Sequence, residues 1–173
     1  MNQTLFASTF AAGLLAFAAS AFAQTATAEL RTAAGASAGT VSLTEAPKGV
    51  LIRVEAKGLT PGWHAVHFHE VGDCSKSDFT SAGGHVHMQP THVHGLLNPA
   101  GDEAGDLPNL FVGANGEGSA ELFSTTVSLN GAGGRAALLD KDGSAVVVHA
   151  KPDDHTSQPI GGAGPRVACG VIH

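Results

Sequence analysis

The sequence predicts an all-β domain, a sandwich or barrel of about eight short antiparallel strands carrying two long loops. Three observations predict it. Beyond residue 23 helical periodicity is hard to find, while short alternating apolar runs recur along the chain. Gly, Pro and Asn/Asp punctuate those runs, and Asn115-Gly116 and Asp142-Gly143 are strong hairpin signals between them. About 150 residues follow the N-terminal stretch, the size of one domain with its own core.

Residues 1–23 read as an export signal. An apolar, Ala-rich stretch runs from Leu5 to Ala19, and Ala21-Phe22-Ala23 is a small-x-small cleavage site before Gln24. Ala26-Thr27-Ala28 offers a second cut, after Ala28. The apolar run is short for a membrane span, and nothing later is long enough for one. The strands then fall, in order, near 29–32 and at 40–43, 50–56, 64–69, 120–129, 136–139, 144–149 and 166–172. Segments 72–110 and 150–165 break the rhythm, and loops of that length inside a compact domain are commonly functional. The unit expected is therefore 24–173, an exported single domain.

A formal net charge of −6 and few basic residues argue against nucleic acid as partner. Cys74 and Cys169 are the only cysteines. In an oxidising compartment such a pair can form a disulfide; the alternative is two unrelated buried thiols, and zinc thiolate ligation is disfavoured because neither has a second cysteine nearby.

Seven of the ten histidines lie between His64 and His94, and an eighth, His149, ends the run Val146, Val147, Val148. Three His-x-His pairs stand out: His67/His69, His85/His87 and His92/His94. On a strand, residues i and i+2 share a face, so each pair can aim two imidazoles at one ion. Imidazole is the commonest ligand for borderline transition metals, so this is a metal site built on β-structure. Segment 72–110 holds much of the cluster and 150–165 begins beside His149; both read as site-building loops. His64 is opposite in strand parity to His67 and His69 and reads as structural. His155 and His173 read as ordinary histidines, Glu70 and Asp73 as makers of loop hydrogen bonds, and Trp63 as packing.

The motifs GWHAVHFHEVGDC (62–74), SAGGH (81–85), HGLLNP (94–99), AGDLPNL (104–110), VVVHAKPDD (146–154) and GAGPRVACGVI (162–172) carry a resemblance. Across nearly all of 24–173 the chain resembles the bacterial exported Cu,Zn superoxide dismutases, with an altered zinc-site loop. The resemblance implies a Greek-key β-sandwich in a periplasmic enzyme, as monomer or homodimer, that turns superoxide into dioxygen and hydrogen peroxide by Cu(II)/Cu(I) cycling. It implies copper on His67, His69, His85 and His149, with His85 bridging to zinc, and His85, His94 and Asp106 on zinc. Asp153 matches a carboxylate that hydrogen-bonds one ligand of each metal. Arg166 matches the arginine that guides the superoxide anion, and the bridging His85 is implied to take up a proton during turnover.

At the remaining zinc position the family commonly reads His-Ala-Gly-Asp, whereas this chain has Glu103-Ala104-Gly105-Asp106. The loop before it, His85-Val86-His87-Met88-Gln89-Pro90, is about one residue longer than the usual His-Phe-Asn-Pro. Glu103, His87 and His92 are the candidates for a fourth ligand; the alternatives are a three-ligand zinc site or a copper-only enzyme. The insertion also leaves His87 as a rival to His85 for the bridge, although Gly83 and Gly84 favour His85. A non-catalytic exported copper/zinc store is the rival function. Arg166 argues against it, since a cation beside a metal site is useful only where an anion must enter.

Overall fold

A computed structural model describes residues 23–173; the expected signal, apart from Ala23, lies outside them. The all-β expectation holds. Eleven strands form among the described residues: β1 (Thr25–Arg31), β2 (Ser37–Ala46), β3 (Gly49–Ala56), β4 (Gly62–His64), β5 (Val66–His69), β6 (Leu110–Val112), β7 (Gly118–Ser124), β8 (Val127–Ser128), β9 (Ala136–Ala137), β10 (Ala145–His149) and β11 (Arg166–Val171). Seven build one antiparallel sheet in the order β5-β10-β11-β1-β2-β3-β7. β4 pairs with β6, and the two short strands β8 and β9 run parallel.

Alternation drives this sheet. In β1 Ala26, Ala28 and Leu30 point inward, and in β3 Ile52, Val54 and Ala56 do so while Arg53 and Glu55 stay exposed. The inward residues join Phe68, Leu107, Leu110, Leu129, Leu138, Val146 and Val148 in one core. The curled sheet brings β7 against β6, where a Cβ at Gly118 would press on the Phe111 carbonyl; β4 then runs on into β5 through Ala65.

The strand count exceeds the expected eight for local reasons. The run 64–69 breaks at Ala65, whose amide hydrogen-bonds the Lys151 carbonyl rather than continuing one ladder. The run 120–129 breaks between β7 and β8 at Thr125 and Thr126. β6 lies at the end of segment 72–110, too short at three residues to show a period.

β5 and β10 are buried on both faces. Val66 and Phe68 on one, and Val146 and Val148 on the other, face the main core. His67 and His69, paired with Val147 and Ala145, take the opposite face of β5. There Ala145 and Val147 pack with Phe79, Ala82 and Cys169 in a second, smaller cluster.

Cys74 and Cys169 form the disulfide, with Cα atoms 5.8 Å apart across 95 residues of sequence. It ties segment 72–110 to β11. Closing a loop of that length stabilises the fold by about 4 to 5 kcal/mol in the chain-entropy account. Replacing both cysteines by Ser is therefore expected to lower the free energy of unfolding of the metal-free chain by roughly 2 to 5 kcal/mol, read from denaturant midpoints. An unchanged midpoint would show that the bridge does not constrain the unfolded chain.

Candidate metal centre

Segment 72–110 reaches the centre by extending the sheet locally. The Phe68 amide donates to the Gly105 carbonyl, the Val86 amide donates to the Phe68 carbonyl, and the Gly105 amide donates to the Val86 carbonyl, each at 2.9 Å. Isolated bridges His67 to Asp106 and His69 to His85 result. Gly105 permits the approach, because a Cβ there would collide with the Phe68 carbonyl. The His and Asp side chains of two loop segments are thereby placed beside those of β5.

Four imidazoles converge on one point. His67 donates from Nε2 to Asp153 Oδ2 (2.9 Å), His69 from Nδ1 to the Gly83 carbonyl (3.0 Å) and His149 from Nδ1 to the Gly164 carbonyl (3.0 Å). The other nitrogens, His67 Nδ1, His69 Nε2 and His149 Nε2, are buried without a protein partner, as is His85 Nε2. A ligand atom from each of the four residues lies within 4.8 Å of the others. Burying four unpaired imidazole nitrogens is costly unless something else engages them, and a transition-metal ion with nitrogen ligands does so. Burial pushes the His67 imidazole down to about 4 despite its hydrogen bond to Asp153, and pushes His149 down to about 3. These rings are neutral at pH 7, the form that ligates.

A second group lies behind His85. Its Nδ1 stands 2.7 Å from Glu103 Oε2 and 2.9 Å from Asp106 Oδ1; His94 Nδ1 stands 3.1 and 2.9 Å from the same oxygens. Against burial, hydrogen bonds that His94 donates to Asp106, Asp153 and Glu103 raise it to about 11, and those to Asp106 and Glu103 likewise raise His85. His85 thus belongs to both groups, whereas His87 and His92 fall outside both. Glu103 occupies the position where the sequence departs from the family.

Asp153 links the two groups, accepting from His67 Nε2 with one oxygen and from His94 Nε2 with the other at 3.0 Å. Against burial, these two hydrogen bonds hold its carboxyl well below the usual carboxylate range. Gly161, at positive φ, leaves room for it; a Cβ there would collide with Asp153 Oδ1. Sequence reasoning missed Asn109, whose amide donates to the Asp153 carbonyl (2.8 Å) and whose Oδ1 accepts the Asp153 amide (2.8 Å). Its place in AGDLPNL, three residues after Asp106, was the available signal.

Arg166, opposite His149 in the β10–β11 register, donates to the carbonyls of Phe79 (2.6 Å) and Gly83 (2.7 Å). Gly83 is the same carbonyl that orients His69. His64 packs as expected of a structural residue, its Nδ1 2.6 Å from the His149 carbonyl and its Nε2 2.8 Å from that of Thr60. Glu70 and Asp73 hold loop amides, those of Gly84 and Ser75. His155, at positive φ, meets Asn109 at 3.2 Å, and His173 is exposed. Trp63 is exposed too, packed edge-on against Phe111 at 5.1 Å between ring centres.

Residues 37–172 match the family described as copper/zinc superoxide dismutase. The chain belongs to this family. It is 67% identical to a superoxide dismutase [Cu-Zn] of Caulobacter vibrioides over 138 residues, 80% of this chain and 79% of the relative. Among solved structures, a superoxide dismutase-like protein from Bacillus subtilis aligns at TM-score 0.77 and 35% identity over 84% of this chain and 96% of that one. The Cu/Zn superoxide dismutase from Brucella abortus aligns at 0.69 and 32% over 87% and 100%. Membership in a copper/zinc dismutase family agrees with two groups of different chemistry, each able to hold a metal ion and joined through one histidine.

The two groups differ in proton content, and so in their response to acid. An ion taken by the His85/His94/Glu103/Asp106 group would displace protons from both His85 and His94, whereas one taken by His67, His69, His85 and His149 would displace a proton from His85 alone. If zinc takes the first group and copper the second, lowering pH from 7 to 5 is expected to weaken zinc more steeply than copper, by about tenfold per unit for each proton displaced. Chelator competition across that range measures it; equal slopes for the two metals would contradict the assignment.

Proposed function

We propose that the chain is an exported superoxide dismutase that holds copper on His67, His69, His85 and His149 and zinc on His85, His94, Asp106 and Glu103. The observation that carries this reading is the set of four buried, unpartnered imidazole nitrogens backed by a carboxylate-rich group on the far side of His85. Copper there supplies a centre that accepts and gives up single electrons, as conversion of superoxide to dioxygen and hydrogen peroxide requires, while zinc has no redox change to offer.

The protein's part is to attract, orient and supply a proton. A net charge of −6 repels an anion at long range, so local positive charge must overcome it at the mouth. Arg166 does this from a fixed position, its guanidinium anchored on the Phe79 and Gly83 carbonyls beside His69. Lys151, with its stem against Gly164, adds to the field near the carbonyl that orients His149. His85 Nε2, a buried nitrogen with no protein partner, is the atom at which the chain can hold a proton destined for peroxide. Asp153 fixes the rings of His67 and His94, so that both groups keep their geometry through turnover.

The test pairs metal content with superoxide consumption in wild-type protein and an Arg166→Ala variant. The variant is expected to keep its copper, lose about 10- to 100-fold in rate, and respond less to ionic strength. Full metal with no turnover in the wild type would leave a metal store instead of an enzyme.

We also place the enzyme in the periplasm, after removal of 1–23. The disulfide supports an oxidising compartment. Cleavage after Ala23 fits better than after Ala28, because Ala26 and Ala28 are buried in β1, Ala28 pairs with Ile172, and Thr27 exchanges backbone hydrogen bonds with His173. Among the described residues, no helix is long and apolar enough to cross a membrane.

A further inference from the structure

His155 lies two residues beyond Asp153, and its backbone takes a left-handed conformation, φ 62°, that residues other than glycine adopt only rarely. Such a conformation persists where surrounding contacts hold it. Here they come from three sides. The His155 amide donates to Asp153 Oδ1 at 2.6 Å, its carbonyl accepts from the Leu97 amide at 3.0 Å, and its ring meets Asn109 with 18% of the side chain exposed. Gly95, next to His94, makes room for that carbonyl, since a Cβ there would collide with it. Asn109 fixes which ring nitrogen carries the proton. Its Oδ1 accepts the Asp153 amide, so the other side-chain atom is the amide nitrogen, which donates to the Asp153 carbonyl at 2.8 Å and to His155 Nε2 at 3.2 Å. Nε2 therefore accepts, and the ring proton sits on Nδ1. That nitrogen is buried without a hydrogen-bond partner and lies 3.4 Å from Asp153 Oδ2, the oxygen that takes His67 Nε2. Away from water, an N–H dipole at that range attracts a carboxylate without closing a hydrogen bond.

We propose that His155 is a positioning residue for Asp153: its ring orients the Asn109 side-chain amide that clamps the Asp153 backbone, and its own amide and Nδ1–H set the rotation of the carboxylate between His67 and His94. The inference rests on the two-metal reading of the site. Asp153 meets one ring of each group through a different oxygen, so a turn of the carboxylate disturbs both rings together. Its Oδ1 is shared by His94 Nε2 and the His155 amide, and its Oδ2 faces His67 Nε2 and the His155 ring. Each oxygen is thus held from the His155 side as well as from the metal side. Contacts of this outer kind keep a ligating imidazole at the angle its ion needs.

The test compares the full chain with its His155→Gly and His155→Asn variants. Glycine adopts the left-handed conformation freely, so it removes the ring and spares the backbone. Asparagine tolerates the same conformation and carries an N–H at about the reach of Nδ1. Three quantities are read: the solvent exchange of the His67 and His94 Nε2 protons by NMR in the metal-free chain, zinc affinity by chelator competition, and the denaturant midpoint of the metal-free chain. In the glycine variant both ring protons should exchange faster, and zinc should bind about tenfold more weakly, the low end for an outer contact. The midpoint should stay where it is, and asparagine should restore most of the zinc affinity. Unchanged exchange and unchanged zinc in the glycine variant would overturn the role of His155 while leaving both metal groups intact. A zinc loss matched by a lower midpoint, and not restored by asparagine, would overturn it too, making the ring a space-filler. A wild type that binds neither copper nor zinc would remove the two-metal reading, and this inference with it.

Discussion

Replacing His69 with Ala is expected to abolish superoxide consumption above the level of metal-free protein. His69 is fully buried, its Nδ1 is committed to the Gly83 carbonyl, and its Nε2 is one of the four nitrogens without a protein partner. Among the described residues no other imidazole is placed to replace it, since His87 and His92 belong to the outer face and His94 to the second group. Loss of a metal contribution worth several kcal/mol corresponds to about 10³-fold or more in rate. Copper retained after dialysis should fall, and zinc should stay, because the second group does not include His69. Near-normal turnover would remove copper from this set of residues.

The second large effect is expected at Glu103. Glu103→Ala removes an oxygen that lies 2.7 Å from His85 Nδ1 and 3.1 Å from His94 Nδ1, leaving three groups to hold zinc. Zinc affinity should fall by about 100-fold or more, beyond the 10- to 100-fold typical of losing a supporting hydrogen bond. Copper content should be retained. Glu103→His, which places the family's usual residue there, should hold zinc but lose the contact toward His92. Zinc in the alanine variant as tight as in the wild type would favour a three-ligand site. No zinc in the wild type would favour a copper-only enzyme.

Much of this was legible in the sequence because it rests on short-range rules. Alternation along 64–69 put His67 and His69 on one face whatever the rest of the chain did, and the apolar run ending at His149 marked a strand. Arg166 and Asp153 were legible as motifs in register with a family. Less visible were elements whose reason is tertiary. β6 has three residues and forms because β4 pairs with it. Asn109 matters because its amide group clamps the Asp153 backbone 44 positions away.

The sequence by itself determined an all-β domain and, through its resemblance to a family, singled out four histidines as one ligand set and an irregular second set with three candidates for one position. Only the tertiary structure decided among the candidates' places. Loop position depends on distant backbone contacts, here the hydrogen bonds that pin Val86 and Gly105 to Phe68. Those contacts turn His85 and Glu103 inward and leave His87 and His92 at the rim, an outcome that residue spacing along a loop has no period to express.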